Sequence, residues 1–485
     1  MNAVLKTLRW PSGDRDRKRL ALWTATEIAE ATGGRASGAF QASGVEMDSR
    51  DVRSGDLFFA LKGETSDGHL YVDKAMANGA VAAVVEAPIA QPHVLVEDTS
   101  RALEDLAKAA RERVSARLVG VTGSVGKTGV KEAIFAALER SSRGAAHRSV
   151  RSYNNHVGVP LSLSRMPSRA RFGVFEMGMN HAGEILGLTT QVRPHVAVIT
   201  TIAPAHIENL GSEEAIADAK AEIFAGLEPG GTAVIPADGP HFARLRAAAL
   251  AAGADVLGFG RNPEAQVRLL DAIPSANGGS LVTAAFDDRR LCYSVAEPGA
   301  HWVANSLAVM AAVHAAGGDL GAAGLALAEM GGLRGRGARH QLIVPGGHAL
   351  LIDESYNANP ASMRATLAQL GATPAARRIA VLGSMKELGD LSPAFHAQLA
   401  GALEAAGVDY VILVGEEMAA LARELGKPPK NALGIALAFA HCQNPGEAIA
   451  ALEEFGLSGG DAVLVKGSNS VGLGRVVAHF TAREG

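Results

Sequence analysis

The run Gly120-Val121-Thr122-Gly123-Ser124-Val125-Gly126-Lys127-Thr128 offers the plainest chemistry in this 485-residue sequence. It follows the apolar strand pattern Arg117-Leu118-Val119 and precedes a helical stretch. Glycines let backbone N–H groups turn onto phosphate oxygens, and the N-terminus of the following helix adds partial positive charge. In such a phosphate loop Gly123, Ser124, Val125, Gly126 and Gly129 would surround the phosphates. Lys127 would reach the terminal ones, and Thr128 would offer its hydroxyl to Mg²⁺. Val121 stands where the usual pattern has glycine, so the loop is a variant. A βα turn that binds nothing is the bland alternative. Strand, Gly-Lys-Thr and helix in this order favour a nucleoside triphosphate.

Three further residues could act beside it. Glu176 closes the apolar run Phe172-Gly173-Val174-Phe175, where a carboxylate is well placed to hold a Mg²⁺ that bridges phosphates. His206 and Glu208 follow the strand pattern Val196 to Ile202; a lone histidine is more often a satisfied structural residue than a ligand. Ser212 precedes a helix with Glu213 and Glu214 in its first turn and Ile216, Ile223, Phe224 and Leu227 as its apolar stripe. Lys220 falls on that stripe, so it must snorkel to solvent or be buried. Burial would lower its pKa, and a neutral amine can take up CO₂ as a carbamate, an anionic oxygen ligand for a metal.

The elements that must position these residues form an α/β pattern in three segments. Residues 1–113 alternate short apolar runs (Asp56 to Leu61, Ala80 to Val85) with turns and end in a helical stretch, Ser100 to Ser115. Residues 114–334 read as strand–helix repeats, which predicts a largely parallel sheet around the phosphate loop. Arg334-Gly335-Arg336-Gly337 reads as a hinge into residues 335–485. There the strands Ala349 to Asp353, Arg378 to Leu382, Tyr410 to Val414 and Ala462 to Val465 predict a second doubly wound, Rossmann-like domain. The candidate residues sit just after strands, where open parallel sheets bind ligands.

Bulk properties bound the partners. Net charge is −4 with 20% charged and 48% hydrophobic residues, which gives no field for nucleic acid or an anionic membrane. Cys292 and Cys442 lack metal-like spacing and read as inert packing residues. The basic N-terminal stretch from Lys6 to Arg19 has no apolar core after it, and no run is long enough to span a bilayer. A cytoplasmic monomer is the expectation.

Taken together, Gly-Ser-Val-Gly-Lys-Thr, the strand-end Glu176, His206 and Ala219-Lys220-Ala221-Glu222 resemble the Mur ligases along nearly the whole chain. The resemblance implies a small α/β UDP-binding domain, a central P-loop mononucleotide-binding domain and a C-terminal Rossmann-like domain. Asp48-Ser49-Arg50 and Gly55 to Gly63 look like the family's UDP-binding region, which implies that Ser49, Arg50 and Lys62 contact the UDP-sugar. Asn154 to Pro160 resembles the loop beside the γ-phosphate, with Asn155 as a substrate contact. The family assigns Thr128, Glu176, His206 and a carbamylated Lys220 to two Mg²⁺ ions, and Lys127, His206 and Lys220 to catalysis. Asn305 matches an adenine contact and Arg336 a phosphate contact, although Arg334 and Arg339 leave that choice open. Glu354, or its neighbour Asp353, would meet the ribose.

The stretches Asp353 to Arg364, Leu382 to Gly389 and Lys466 to Ser470 are similar to the family member that accepts D-Ala-D-Ala. Tyr356, Asn357, Asn359, Lys466 and Ser468 are then the implied contacts of the incoming dipeptide. The implied reaction is ATP-dependent joining of D-Ala-D-Ala to UDP-MurNAc-tripeptide through an acyl phosphate. The alternative is the preceding ligase, which adds diaminopimelate or lysine; its Asp-Asn-Pro-Arg stretch does not occur here.

Overall fold

A computed structural model describes residues 20–63, 66–205, 207–275, 278–286, 288–427 and 437–482. The basic N-terminal stretch and His206 therefore lie outside the described residues. The chain divides into two compact units, one comprising residues up to Val114 together with Pro160–Ser168, the other Ser115–Val159 and everything from Arg169.

The first unit is built on a five-stranded sheet in the spatial order Arg35–Ala36, His93–Leu95, Ala82–Val85, Asp56–Phe59, Gly44–Glu46. The last four run parallel. Gly44–Glu46, Asp56–Phe59 and Ala82–Val85 are buried at every position, with Leu57, Phe58, Phe59 and Val84 at 0–1% exposure, as a sheet covered on both faces requires. The helix Thr99–Glu112 packs Leu103 and Leu106 inward and is capped by Asp98, whose carboxylate accepts from the Ser100 and Arg101 N–H groups. Arg165 ties Pro160–Ser168 into this unit, donating to the Val45 carbonyl at 2.6 Å and to Glu46 at 2.7 Å.

The second unit carries two larger sheets. The nine-stranded sheet places Arg117–Thr122 between Phe172–Glu176 and Val196–Ile199, with Thr232–Pro236 and Asp255–Gly260 beyond, all parallel. The expected parallel sheet changes character after that. Val267–Pro274, Ser280–Phe286 and Arg289–Val295 form an antiparallel meander, so this stretch corrects the strand–helix reading. Only a few residues separate these strands, too few for a crossover helix, and their burial alternates as it does in a sheet with one wet face. Cys292 lies exposed on the outermost of them, so it is not the packing residue expected, whereas Cys442 is buried.

The six-stranded sheet runs in the order Ala338–Val344, Gly347–Glu354, Ala462–Lys466, Arg378–Gly383, Tyr410–Val414, Ala438–Cys442. The four expected strands are present; the two edge strands were not anticipated. The first of these is antiparallel and exposed at every second or third position, a weak hydrophobic signal. The hinge has a defined shape. Arg336 N–H bonds to the Leu333 carbonyl at 2.7 Å and Gly337 N–H to that of Asp353 at 2.9 Å. Gly335 (φ 73°) and Gly337 (φ 94°) occupy left-handed conformations, which explains the two glycines. No helix among the described residues is long and apolar enough to cross a membrane.

Candidate active site

The phosphate loop joins the strand Arg117–Thr122 to the helix Lys127–Ser142. Val121 is fully buried within the strand and pairs with both Glu176 and Val198. The strand thus continues where the usual loop would already turn, and no glycine is needed. The turn is made instead at Gly123 (φ 143°), where a Cβ would come within 2.0 Å of the Thr200 hydroxyl, and at Gly126 (φ 89°). Ser124 spends its side chain on structure, donating to the Ala203 carbonyl at 2.9 Å and accepting from the Ala203 N–H at 3.0 Å. Thr200 donates to the Val125 carbonyl at 2.5 Å. These bonds end the expected Val196–Ile202 strand at Ile199 and bend residues 200–203 around the loop.

Around the loop's exit the structure gathers oxygen donors. The Thr128 hydroxyl donates to Glu176 Oε2 at 2.9 Å and lies 3.2 Å from Ser152 Oγ. Asn154 Nδ2 donates to Glu176 Oε1 at 2.8 Å, while the Ser149 hydroxyl accepts from the Glu176 N–H at 3.1 Å. Glu176 is 1% exposed. Asn155, the expected contact, instead accepts from the N–H groups of Val157 and Gly158 at 3.3 and 2.8 Å. Ser149, Ser152 and Asn154 were missed by the sequence reading. Only the spacing of three short polar residues after a strand hinted at them.

Lys220 is buried, not snorkelled, on the helix Glu213–Ala221. Burial, aided by the nearby Lys127 ammonium, holds its pKa well below the usual lysine range. Lys127 donates to the Gly123 carbonyl at 2.6 Å; burial lowers its pKa, Glu176 partly restores it and Arg336 lowers it again. No cluster of three His, Cys, Asp or Glu side chains that could hold a metal stands among the described residues, and His206 falls outside them.

The carboxyl edge of the six-stranded sheet supplies the rest. Glu354 and Lys466 end neighbouring parallel strands and lie directly opposite, 3.6 Å apart. Lys466 also donates to the Asn357 carbonyl at 2.8 Å. Burial raises the Glu354 pKa against the pull of Lys466 and Arg336. Asp353 is spent on the hinge, accepting from Gly335 N–H at 2.8 Å and from the Ser355 hydroxyl at 2.6 Å. Of the two acids, Asp353 is therefore tied into the hinge and Glu354 is the one paired with Lys466. Of the three hinge arginines, Arg336 reaches the loop side: it donates to Ser152 Oγ at 3.3 Å and lies 4.3 Å over the Tyr356 ring. Arg334 and Arg339 are exposed. Asn305 stands beside Gly126, where an added Cβ would sit 3.0 Å from its Oδ1, and Trp302 covers Gly129. Asn359 is the N-cap of the helix Pro360–Ala372, accepting from Ser362 N–H at 2.8 Å, and Ser468 accepts from Lys386 N–H at 3.1 Å.

In the first unit, Ser49 and Arg50 follow the strand Gly44–Glu46 and Lys62 follows its parallel neighbour Asp56–Phe59. All three thus lie at one sheet edge. Arg50 is paired with Asp48 at 2.6 Å and Lys62 with Glu86.

Lys127, Lys220, Lys466 and Arg336 thus stand at this site, and burial holds the three lysines below their ordinary pKa. A polyanion bound among them would relieve that strain. Family models match this chain over residues 41–117 (Mur ligase family, catalytic domain), 121–313 (Mur ligase middle domain) and 338–469 (Mur ligase, glutamate ligase domain). UDP-N-acetylmuramoyl-tripeptide–D-alanyl-D-alanine ligase of Synechocystis sp. is 36% identical over 90% of this chain and 91% of its own. The chain belongs to the Mur ligase family. Among solved structures of Mur ligases, MurF from Acinetobacter baumannii superposes with a TM-score of 0.80, at 30% identity, covering 95% of this chain and 99% of its own. MurF ligase from Thermotoga maritima in complex with ADP gives 0.72, at 27% identity over 90% and 97%.

Proposed function

We propose that this Mur ligase joins D-Ala-D-Ala to UDP-MurNAc-tripeptide at the expense of ATP, in the cytoplasm and as a monomer. The products are UDP-MurNAc-pentapeptide, ADP and phosphate, for peptidoglycan precursor synthesis. The observation that carries the reading is similarity over 90% of this chain and 91% of the relative to a ligase named for that reaction. The phosphate loop and the cationic cluster around it supply the chemistry.

A terminal carboxylate oxygen of the tripeptide attacks the γ-phosphorus, the bond to the bridging oxygen breaks, and ADP leaves. The amine of D-Ala-D-Ala then attacks the acyl carbon of the resulting acyl phosphate. The tetrahedral adduct loses a proton from nitrogen and expels phosphate. Lys127, at the N-terminus of the helix Lys127–Ser142, stabilises charge on the phosphoryl group in flight. Arg336 donates into the same region from the hinge, and Asn305, Trp302 and Glu354 line the path for the nucleoside. Orienting the three reactants can remove roughly 7–11 kcal/mol of barrier at best.

Thr128, Ser152 and Glu176 present hard oxygen donors and no thiol, which fits Mg²⁺. With His206 and Lys220 they would hold two ions. Bound there, the ions would neutralise phosphate charge. Lys220, whose pKa burial depresses, would offer its amine to CO₂; a C–N bond would form, a proton would leave, and the carbamate oxygens would become available as ligands. The N-terminal region with Ser49, Arg50 and Lys62 takes the UDP-sugar, and Tyr356, Asn357, Asn359, Lys466 and Ser468 surround the dipeptide.

The reading is tested by supplying UDP-MurNAc-tripeptide, or the shorter precursor lacking its third residue, with ATP, Mg²⁺ and D-Ala-D-Ala, diaminopimelate or lysine in turn. Stoichiometric phosphate and a new amide with the dipeptide are expected. Turnover only with diaminopimelate or lysine on the shorter precursor, or phosphate release without any amine, would overturn it.

A further inference from the structure

Lys131 lies one turn past Lys127 on the same helix and is fully buried, at 0% exposure. Its ammonium donates to the Ser149 carbonyl at 3.0 Å and the Arg151 carbonyl at 2.6 Å, with Glu132 Oε1 2.8 Å away. Three N–H groups thus meet three acceptors, which is the condition for burying a lysine at all. A buried charge is a poor way to gain stability, because an apolar residue of similar volume often does as well. What the lysine can do, and an apolar residue cannot, is fix two backbone carbonyls.

Those carbonyls belong to residues 149–155, which have no regular secondary structure. Arg151 sits at φ 56°, a left-handed conformation that a non-glycine residue keeps only when its surroundings hold it there. The same segment carries Ser149 against the Glu176 N–H, Ser152 between Thr128 and Arg336, and Asn154 on the Glu176 carboxylate. The strand Phe172–Glu176 anchors the start of the segment, where Ser149 N–H donates to the Val174 carbonyl at 3.0 Å, and Gly178 N–H holds its end at the Asn154 carbonyl at 2.7 Å; between these anchors Lys131 holds the Arg151 carbonyl.

We propose that Lys131 is a positioning residue: by gripping the Ser149 and Arg151 carbonyls it sets Ser152 and Asn154 so that Thr128, Glu176 and Arg336 are aligned for phosphoryl transfer. It rests on the ATP-dependent reading above. Loss of the grip lets the segment relax by about 1 Å, enough to lower turnover about 100-fold.

The test compares Lys131→Met, Lys131→Gln and Ile134→Ala in the full chain. Gln keeps one donor and a milder change, so it remains informative if Met does not fold. Ile134 is fully buried in the apolar core on the same helix, and its truncation lowers the melting temperature while leaving Lys131 and its three acceptors in place. For Lys131→Met the expected result is kcat down about 100-fold, and the Mg²⁺ concentration for half-maximal rate up by about 10-fold. Lys131→Gln should fall between this variant and wild type. Ile134→Ala should keep wild-type kcat and Mg²⁺ dependence at an equal or larger loss of melting temperature. Wild-type kcat and Mg²⁺ dependence in both Lys131 variants, or an equal loss in Ile134→Ala, would overturn the proposal. If the wild-type chain itself formed no amide, the ligase reading would fall on that result alone. Mg²⁺-enhanced binding of ATP would still judge Lys131: weaker enhancement in the variants supports its role, and equal enhancement refutes it.

Discussion

Replacing Glu176 with glutamine separates the charge of the site from its shape. The carboxylate accepts one hydrogen bond from Thr128 at 2.9 Å and one from Asn154 at 2.8 Å. In Glu176→Gln the amide oxygen can keep the Asn154 bond. The amide nitrogen then donates to Thr128, whose hydroxyl turns to Ser152 Oγ, 3.2 Å away. Two bonds are retained in a residue of equal volume, so stability should change by no more than about 1 kcal/mol. A melting shift of about 1 °C follows for a chain of 485 residues. The lost negative charge is another matter. It leaves Lys127 without the carboxylate that partly offsets its burial, and it removes the anionic oxygen that would hold a Mg²⁺ against the phosphates. Groups aimed at developing charge are worth about 10²–10³ in rate, or about 2.7–4 kcal/mol. The assay is dipeptide-dependent ADP release with saturating substrates and a Mg²⁺ titration, alongside thermal melting. Undiminished kcat/KM in a normally folded variant would refute the reasoning, as would loss of activity explained by a melting drop of tens of degrees.

Glu297 is held at a pKa of about 7, chiefly by burial, with Arg339 opposing and Glu354 adding to the rise. The folded chain keeps a proton that the unfolded chain releases near 4.5, so this stability, about 3 kcal/mol at most, is full below pH 4.5 and lost as pH rises through 7. His301 acts oppositely: burial and Lys466 lower it to about 4 from 6.5, giving stability that is lost as pH falls through that window. Melting temperature should therefore be nearly level from pH 4.5 to 6.5 and fall slightly from 6.5 to 7, whereas in Glu297→Gln it should rise from pH 4 to 6.5; parallel curves for the two proteins would refute this. Asn359→Ala should cost about 1 kcal/mol through loss of the cap, whereas Asn359→Ser should retain it. A raised dipeptide KM in the stable serine variant would then report a substrate contact, and an unchanged one would limit Asn359 to capping. Gly123→Ala forces a Cβ onto the Thr200 hydroxyl and should abolish ADP binding by titration calorimetry; binding within a few-fold of wild type would contradict the loop geometry.

Strand ends were the most legible feature of the chain. Glu176, Glu354 and Lys466 each close a buried apolar run, and the carboxyl edge of a parallel sheet is a general ligand position. The antiparallel meander from Val267 to Val295 could have been read from its alternating pattern, but a parallel frame was extended over it. Adjacent residues were harder to separate. Asn154 rather than Asn155 meets Glu176 because Ser149 N–H pairs with the Val174 carbonyl and so fixes the phase of the turn that follows. Asp353 rather than Glu354 points into the hinge because side chains alternate along a strand, and only the fold tells which face the hinge covers. Lys220 could be placed on the apolar stripe, yet whether it escapes to water depends on what packs above it. Ile216, Ile223 and Phe224 are all buried around it, and no rule of spacing supplies that.

The most direct test follows a single oxygen. UDP-MurNAc-tripeptide labelled with ¹⁸O in its terminal carboxylate is incubated with the chain, ATP, Mg²⁺ and D-Ala-D-Ala, and the released phosphate is analysed by mass. Transfer through an acyl phosphate at the Gly126–Thr128 turn puts one ¹⁸O into each phosphate formed with each amide. Phosphate free of label, or label found on AMP, would contradict it.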